Sequence, residues 1–161
     1  MQPKKSQAAL EFLTTYGWAF LVILIMIGTL AYFGILSPSK LLPNRCTFGS
    51  EFQCVDYQIS AAANTFKLRL RNAVAEPIDV SAMILSSEGA TQYVCSTPPS
   101  NPASWKSGQV IDLTWSGCNS AAAGFVEGEK GKVLVTLRYN SVASGSNYTR
   151  EVKGEVLSTV V

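Results

Sequence analysis

From Phe12 to Ser39 the chain runs 28 residues without a charge, and within that run Phe20 to Ile27 are apolar without a break. Successive apolar residues cover every face of a helix, so the segment has no wet side and calls for burial all round, in lipid or among copies of itself. As a helix the uncharged run would reach about 42 Å at about 1.5 Å per residue, more than the hydrocarbon core of a bilayer, about 30 Å. Ser37, Pro38, Pro43 and Asn44 mark the exit, because proline cannot continue a helix and restricts the residue before it.

After the exit the repeat changes from helical to two-residue. Phe66, Leu68 and Leu70 alternate with Lys67, Arg69 and Arg71, as in a strand with one wet face. Ile78, Val80, Ala82 and Ile84 alternate with Asp79 and Ser81, and Ile111, Leu113 and Trp115 with Asp112 and Thr114. Val133, Val135, Leu137 and Tyr139 mark a longer strand, and Tyr148, Val152 and Val156 continue the pattern near the end. Shorter strands are expected at Tyr57–Ala61 and Gln92–Cys95. Turn-forming residues separate these runs, among them Glu76-Pro77, Ser116-Gly117 and Ser144-Gly145-Ser146. About seven strands at this spacing predict an α+β chain, a long N-terminal hydrophobic helix followed by an antiparallel β-sandwich of the immunoglobulin-like kind. The expected divisions are a polar leader at 1–6, the helix at 7–36, a linker at 37–45 and the β domain at 46–161.

Composition narrows the chemistry. The 161 residues carry a formal charge of +2 and no histidine, which removes the commonest general base and the commonest metal ligand. The basic residues form no stripe, so nucleic acid is not an expected partner. No nucleophile motif stands out and no cofactor or metal site is expected. An enzyme is a distant reading, which only turnover depending on Asp112 or Ser107 would revive.

Cys46, Cys54, Cys95 and Cys118 all follow the apolar run, and none has the two-residue spacing of a zinc knuckle. An even count there reads as two disulfides in an oxidising compartment. Three pairings exist. The favoured one joins Cys46 to Cys54, where the chain leaves the helix, and Cys95 to Cys118. Lys4 and Lys5 precede the apolar run, so the positive-inside bias and the redox argument agree on a cytoplasmic N-terminus and an external β domain. Asn147-Tyr148-Thr149 is a candidate N-glycosylation site. Trp105 and Trp115 read as core residues rather than a sugar platform.

Glu11 stands apart, since a carboxylate near the centre of a membrane helix costs about 2.5 to 3.5 kcal/mol and less toward the interface. One reading places it at headgroup level, where it also favours the positive end of the helix dipole. The other comes from a resemblance. Lys4-Lys5-Ser6 followed by Gln7-Ala8-Ala9-Leu10-Glu11-Phe12-Leu13-Thr14-Thr15-Tyr16-Gly17-Trp18 closely resembles the start of archaeal type IV pilins, which carry a class III signal peptide. The resemblance covers about the first 36 residues. It implies that a prepilin peptidase cuts between Ser6 and Gln7, on the cytoplasmic side, and that the helix stays in the mature subunit. Glu11 is then the fifth mature residue, where that family carries its glutamate, and it would pair with the new amine at Gln7 of a neighbouring subunit. Of the 13 basic residues two leave with the leader, so eleven remain against 11 acidic ones and the mature chain is formally neutral.

The expected function is therefore a structural subunit of an archaeal type IV pilus-like filament, polymerising through its helix and serving adhesion. Its partners would be other copies of itself, the membrane before assembly, the peptidase and assembly machinery, and host or surface ligands. Two alternatives stay open. One is a single-pass membrane-anchored β domain that binds a partner and never polymerises, and the other is an archaeal flagellin.

Overall fold

The structure, a computed structural model, describes residues 4–32 and 42–161. It divides into two units, one ending at Leu41 and one running from Leu42 to Val161. The expected helix end at 33–36 and most of the linker at 37–45 lie outside the described residues, as do Met1, Gln2 and Pro3 of the leader.

In the first unit, helix α1 spans Lys4–Tyr32. It therefore begins inside the expected leader, and Lys4 to Gln7 form a continuous helical backbone across the Ser6–Gln7 bond. Neither proline nor glycine occurs between Lys4 and Tyr16 to break it. Thr14 Oγ1 donates to the carbonyls of Leu10 and Glu11 at 3.0 and 3.1 Å, and Thr29 Oγ1 to that of Met26 at 2.8 Å. These hydroxyls satisfy themselves on their own helix and so tolerate an apolar setting.

The second unit holds eight strands: β1 Arg45–Thr47, β2 Phe52–Ser60, β3 Thr65–Asn72, β4 Ile78–Ser86, β5 Cys95–Thr97, β6 Val110–Cys118, β7 Lys130–Ser141 and β8 Arg150–Thr159. They form two four-stranded sheets, ordered β1-β8-β7-β4 and β2-β3-β6-β5, with antiparallel neighbours throughout. Both sheets contribute to one core. Phe66, Leu68, Leu70, Leu113 and Trp115 enter it from one sheet, and Val80, Val133, Val135, Leu137, Tyr139 and Val156 from the other. Phe52 stacks on Trp105 with ring centres 5.3 Å apart and meets Tyr139 edge-on at 5.4 Å, so aromatic contacts reach across the core.

The alternation read from sequence describes β3, β6 and β7 well, and it fails at specific irregularities. In β4 a bulge between Val80 and Ala82 shifts the register, after which Met83 pairs with Leu137 and Leu85 with Val135. Ile84, expected inside, is consequently 45% exposed. A second bulge, between Cys54 and Asp56, lets β2 begin at Phe52, five residues before the expected Tyr57. The strand expected at Gln92–Cys95 starts only at Cys95, because Asn119 takes the main-chain bonds of the preceding residues. Its amide donates to Gln92 O at 2.9 Å, and its oxygen accepts from Val94 N at 2.8 Å. Tyr148 lies ahead of β8, in the loop after β7, and is 71% exposed rather than part of the inner face. Strand β1 carries no sequence pattern and was not expected.

Candidate functional site: the apolar helix and the clamped entry to the β domain

Leu10 to Tyr32 form a 23-residue stretch long and apolar enough to cross a membrane. At about 1.5 Å per residue it measures about 35 Å, against about 30 Å of hydrocarbon. Apart from half-buried Val22, every side chain in it is exposed, so its apolar surface is open on all sides within the described chain. Phe12 and Tyr16, one turn apart, bring their rings to 4.5 Å. Gly17 and Gly28 have nothing within 4 Å of where a Cβ would stand. They lie eleven residues, or three turns, apart, and so share a face on which another helix has room to approach.

The helix places Lys4, Lys5, Ser6 and Gln7 in its first two turns and Glu11 one turn beyond Gln7. Glu11 is exposed at the N-terminal edge of the apolar stretch, where either of the readings made from sequence has room to operate.

Both disulfides join the favoured partners. Cys46–Cys54 spans eight positions and ties β1 to β2, hence one sheet to the other. Cys95–Cys118 joins residues that face one another across β5 and β6, and it fastens the three-residue edge strand β5 to its sheet. Among the described residues there is no free cysteine, and no group of three or more His, Cys, Asp or Glu is placed to hold a metal ion.

Around Cys46 the chain is held on three consecutive residues. The Asn44 side-chain oxygen accepts from Lys130 Nζ, from Thr159 N at 3.1 Å and from Thr159 Oγ1 at 3.3 Å. The Arg45 guanidinium donates twice to Glu155 Oε1, at 3.1 and 2.5 Å. Glu155 also meets Lys132 at 3.0 Å, and Lys132 reaches Glu88 at 2.7 Å. The hydrogen bonds from Lys132 and then Arg45 hold the Glu155 carboxyl below the usual glutamate range, while Glu88 and Glu155 raise the Lys132 amine. In the sequence Asn44 reads only as part of the helix exit, and its contacts and those of Arg45 do not show. The partners are separated by 86 to 115 positions, and no local pattern marks such contacts.

The sequon lies at the other end of the domain. Asn147 is exposed in the loop joining β7 to β8, and Thr149 Oγ1 donates to Ser146 O at 3.3 Å. Asn44 adjoins the last residue of β8, whereas Asn147 precedes its first, Arg150. The ten residues of that strand separate the two by about 30 Å at about 3.3 Å per residue.

The outer face of the β2-β3-β6-β5 sheet carries a shallow depression of about 310 Å³ lined by Asp56, Gln58, Lys67, Arg69, Asp112 and Thr114. Its centre is a two-pronged ion pair, Arg69 Nε to Asp112 Oδ1 at 2.5 Å and Nη2 to Oδ2 at 2.9 Å. The arginine holds the Asp112 carboxyl below its ordinary range, which makes it a fixed acceptor rather than a base poised near neutral pH. Ser107 is exposed in the turn before β6. Trp105 and Trp115, read as core residues, are both 2% exposed.

Compared with protein-family models and with curated proteins, the chain matches none.

Proposed function

We propose that this chain is the precursor of a structural subunit of an archaeal type IV pilus-like filament. The observation that carries the reading is the 23-residue apolar stretch of α1, open on every side, joined to a disulfide-linked β domain. A helix with no polar face suits lipid before assembly and a bundle of identical helices afterwards. The lysines ahead of it favour a cytoplasmic N-terminus, and the disulfides favour an external domain.

In this reading a prepilin peptidase cuts between Ser6 and Gln7, removing Lys4 and Lys5. The subunit then leaves the bilayer for a filament core, where Glu11 pairs with the Gln7 amine of a neighbour and fixes axial register. Asn147 carries a glycan on the loop farthest along β8 from the point of entry. The filament lies at the cell surface, and its use is adhesion to other cells or surfaces. The β domain is read as an immunoglobulin-like sandwich at the level of two packed antiparallel sheets. What supports it is the strand order, since β2 to β8 taken as A to G give A-B-E-D in one sheet and C-F-G in the other, with β1 an added strand beside G.

The test is the N-terminal residue of the protein recovered from its native cell surface, by peptide mass spectrometry that also detects cyclised glutamine. A start at Gln7 supports the filament subunit. An intact Met1 favours a membrane-anchored binding domain, and a start beyond Leu36 sinks both, since the helix would then be only a signal.

A further inference from the structure

Near the start of the second unit, Asn44, Arg45 and Cys46 each bond to a distant part of the chain. Asn44 and Arg45 are fastened to the β7–β8 side of one sheet, and Cys46 is joined covalently to β2 in the other. Three consecutive residues thus distribute their bonds over both layers. Beyond them, the Cys46–Cys54 bridge closes a covalent ring that takes in residues 47–53, from the end of β1 to the start of β2.

The direction of the strands decides what a pull on this stretch would do. Strand β1 runs antiparallel to β8, with Arg45 opposite Leu157 and Thr47 opposite Glu155. Ladder hydrogen bonds lie perpendicular to the strands. A pull on Asn44, opposed at the β7–β8 loop near Asn147, runs along the strand axis and loads all the β1–β8 rungs together. A pull on Asn44 opposed at Val161 opens the same rungs one at a time, because Asn44 and the end of β8 adjoin.

We propose that Asn44, Arg45 and the Cys46–Cys54 bridge form a directional load-bearing clasp that passes tension from the incoming chain into both sheets, bypassing residues 47–53. Under axial load the hydrogen bonds of Asn44 and Arg45 resist in shear, and the bridge moves the remaining force onto β2. That strand is held by β3 along its length and by the Val161 N to Ile59 O bond at 3.0 Å near its end. Under a pull at the C-terminus, Val160 and Val161 peel first and β8 follows, a route the bridge does not guard. The purpose of the clasp rests on the filament reading, since a subunit fixed by its helix and held at its far loop is under this axial load. Its mechanics depend on the fold alone.

The experiment holds single molecules of the full chain in detergent at constant force, with one handle on the N-terminus. The second handle is either a short peptide tag inserted after Gly145 or a tag at Val161. In the Gly145 geometry the folded lifetime falls several-fold in Cys46→Ser/Cys54→Ser, because the pull then reaches β2 only through residues 47–53. In the Val161 geometry it changes little. Should that variant not fold, oxidised wild-type molecules exposed to reductant under load give the same comparison, read against Cys95→Ser/Cys118→Ser molecules for the other bridge. Equal loss in both geometries would reduce the bridge to a general staple and overturn the clasp. So would an unchanged lifetime in the Gly145 geometry. A chain that starts at Met1 on its native cell yet shows the directional difference would refute the filament reading and leave the clasp standing.

Discussion

The ring of Phe48 occupies the space in which a side chain at Gly154 would stand. Gly154 lies on β8 opposite Val135, and Phe48, just past β1, packs against the core there. An exposed glycine would be a weak point in a strand, but here its missing Cβ is replaced by an aromatic ring. Gly154→Ala therefore overpacks the site and is expected to cost about 1 to 3 kcal/mol in chemical denaturation. In Phe48→Ala/Gly154→Ala the two effects share one volume, so their sum exceeds the measured loss. Strict additivity would mean that the ring and the glycine do not depend on each other.

Asn72 is fully buried, and all its side-chain polar atoms are used. Its amide nitrogen donates to Trp105 O at 2.8 Å and Glu76 O at 3.4 Å, and its oxygen accepts from Val74 N at 2.9 Å. Its main chain also bonds Gln109 O and Gly108 N, so one residue organises both loops that meet the end of β3. Asn72→Leu removes the side-chain bonds and takes the acceptor from part-buried Val74 N, while Trp105 O keeps its bond from Ile78 N, with an expected loss of about 1 to 3 kcal/mol. Faster amide exchange at Val74 would accompany it. Unchanged exchange there would show that the loop holds itself.

These two sites show where sequence reading ends. The helix and the five longer alternating runs were legible because each rests on a short period, whereas the disulfide pairing was legible only as the favoured one of three. Strand β1 was not, since Arg45-Cys46-Thr47 is too short for any period and its partners lie on β8. The bulge at Val80 and Ala82 reversed the facing of everything after it in β4, and no residue there announces it. Of the candidate site, Glu11, the leader and the cysteines were visible as residue types. The clamp at Asn44 and the loop organiser at Asn72 were not, because an asparagine reads as a turn former until its distant partners are known.

Acid should weaken the domain through Glu155. Lys132 and Arg45 hold its folded pKa below the unfolded value. The stabilisation is therefore present above the ordinary glutamate range, near about pH 4.3 in the unfolded chain, and is lost as pH falls through the lower folded value. Asp112, held low by Arg69, adds the same sign at a fully exposed and screened site. Lys132 is raised, so its share persists at neutral pH and is lost only as pH rises beyond the ordinary lysine range. Urea midpoints are expected to stay level between about pH 6 and 8 and to fall below about pH 4. Glu155→Gln should lower the neutral plateau by up to about 1 kcal/mol and flatten the acid fall. An acid limb identical to wild type would remove Glu155 from this account.

In the proposed filament, substitution of Glu11 should separate insertion from assembly. Glu11 is the fifth residue beyond the proposed cut, at the edge of the Leu10–Tyr32 stretch. Glu11→Ala makes that stretch more apolar, so the precursor should insert and be cut between Ser6 and Gln7 as wild type is. Assembly should suffer instead, because a buried amine at Gln7 would lose its partner, a loss of about 3 to 5 kcal/mol for a broken buried pair. The ratio of filament to membrane-held subunit is expected to drop by at least about 100-fold on that scale. Mass spectrometry of the processed N-terminus identifies what Glu11 pairs with. With a free amine, Glu11→Gln should assemble nearly as poorly as Glu11→Ala, since the charge is what matters. With a cyclised, neutral Gln7 only hydrogen bonds remain, and Glu11→Gln should recover most of the filament. Wild-type assembly by Glu11→Ala would leave the carboxylate a headgroup-level residue with no part in the filament.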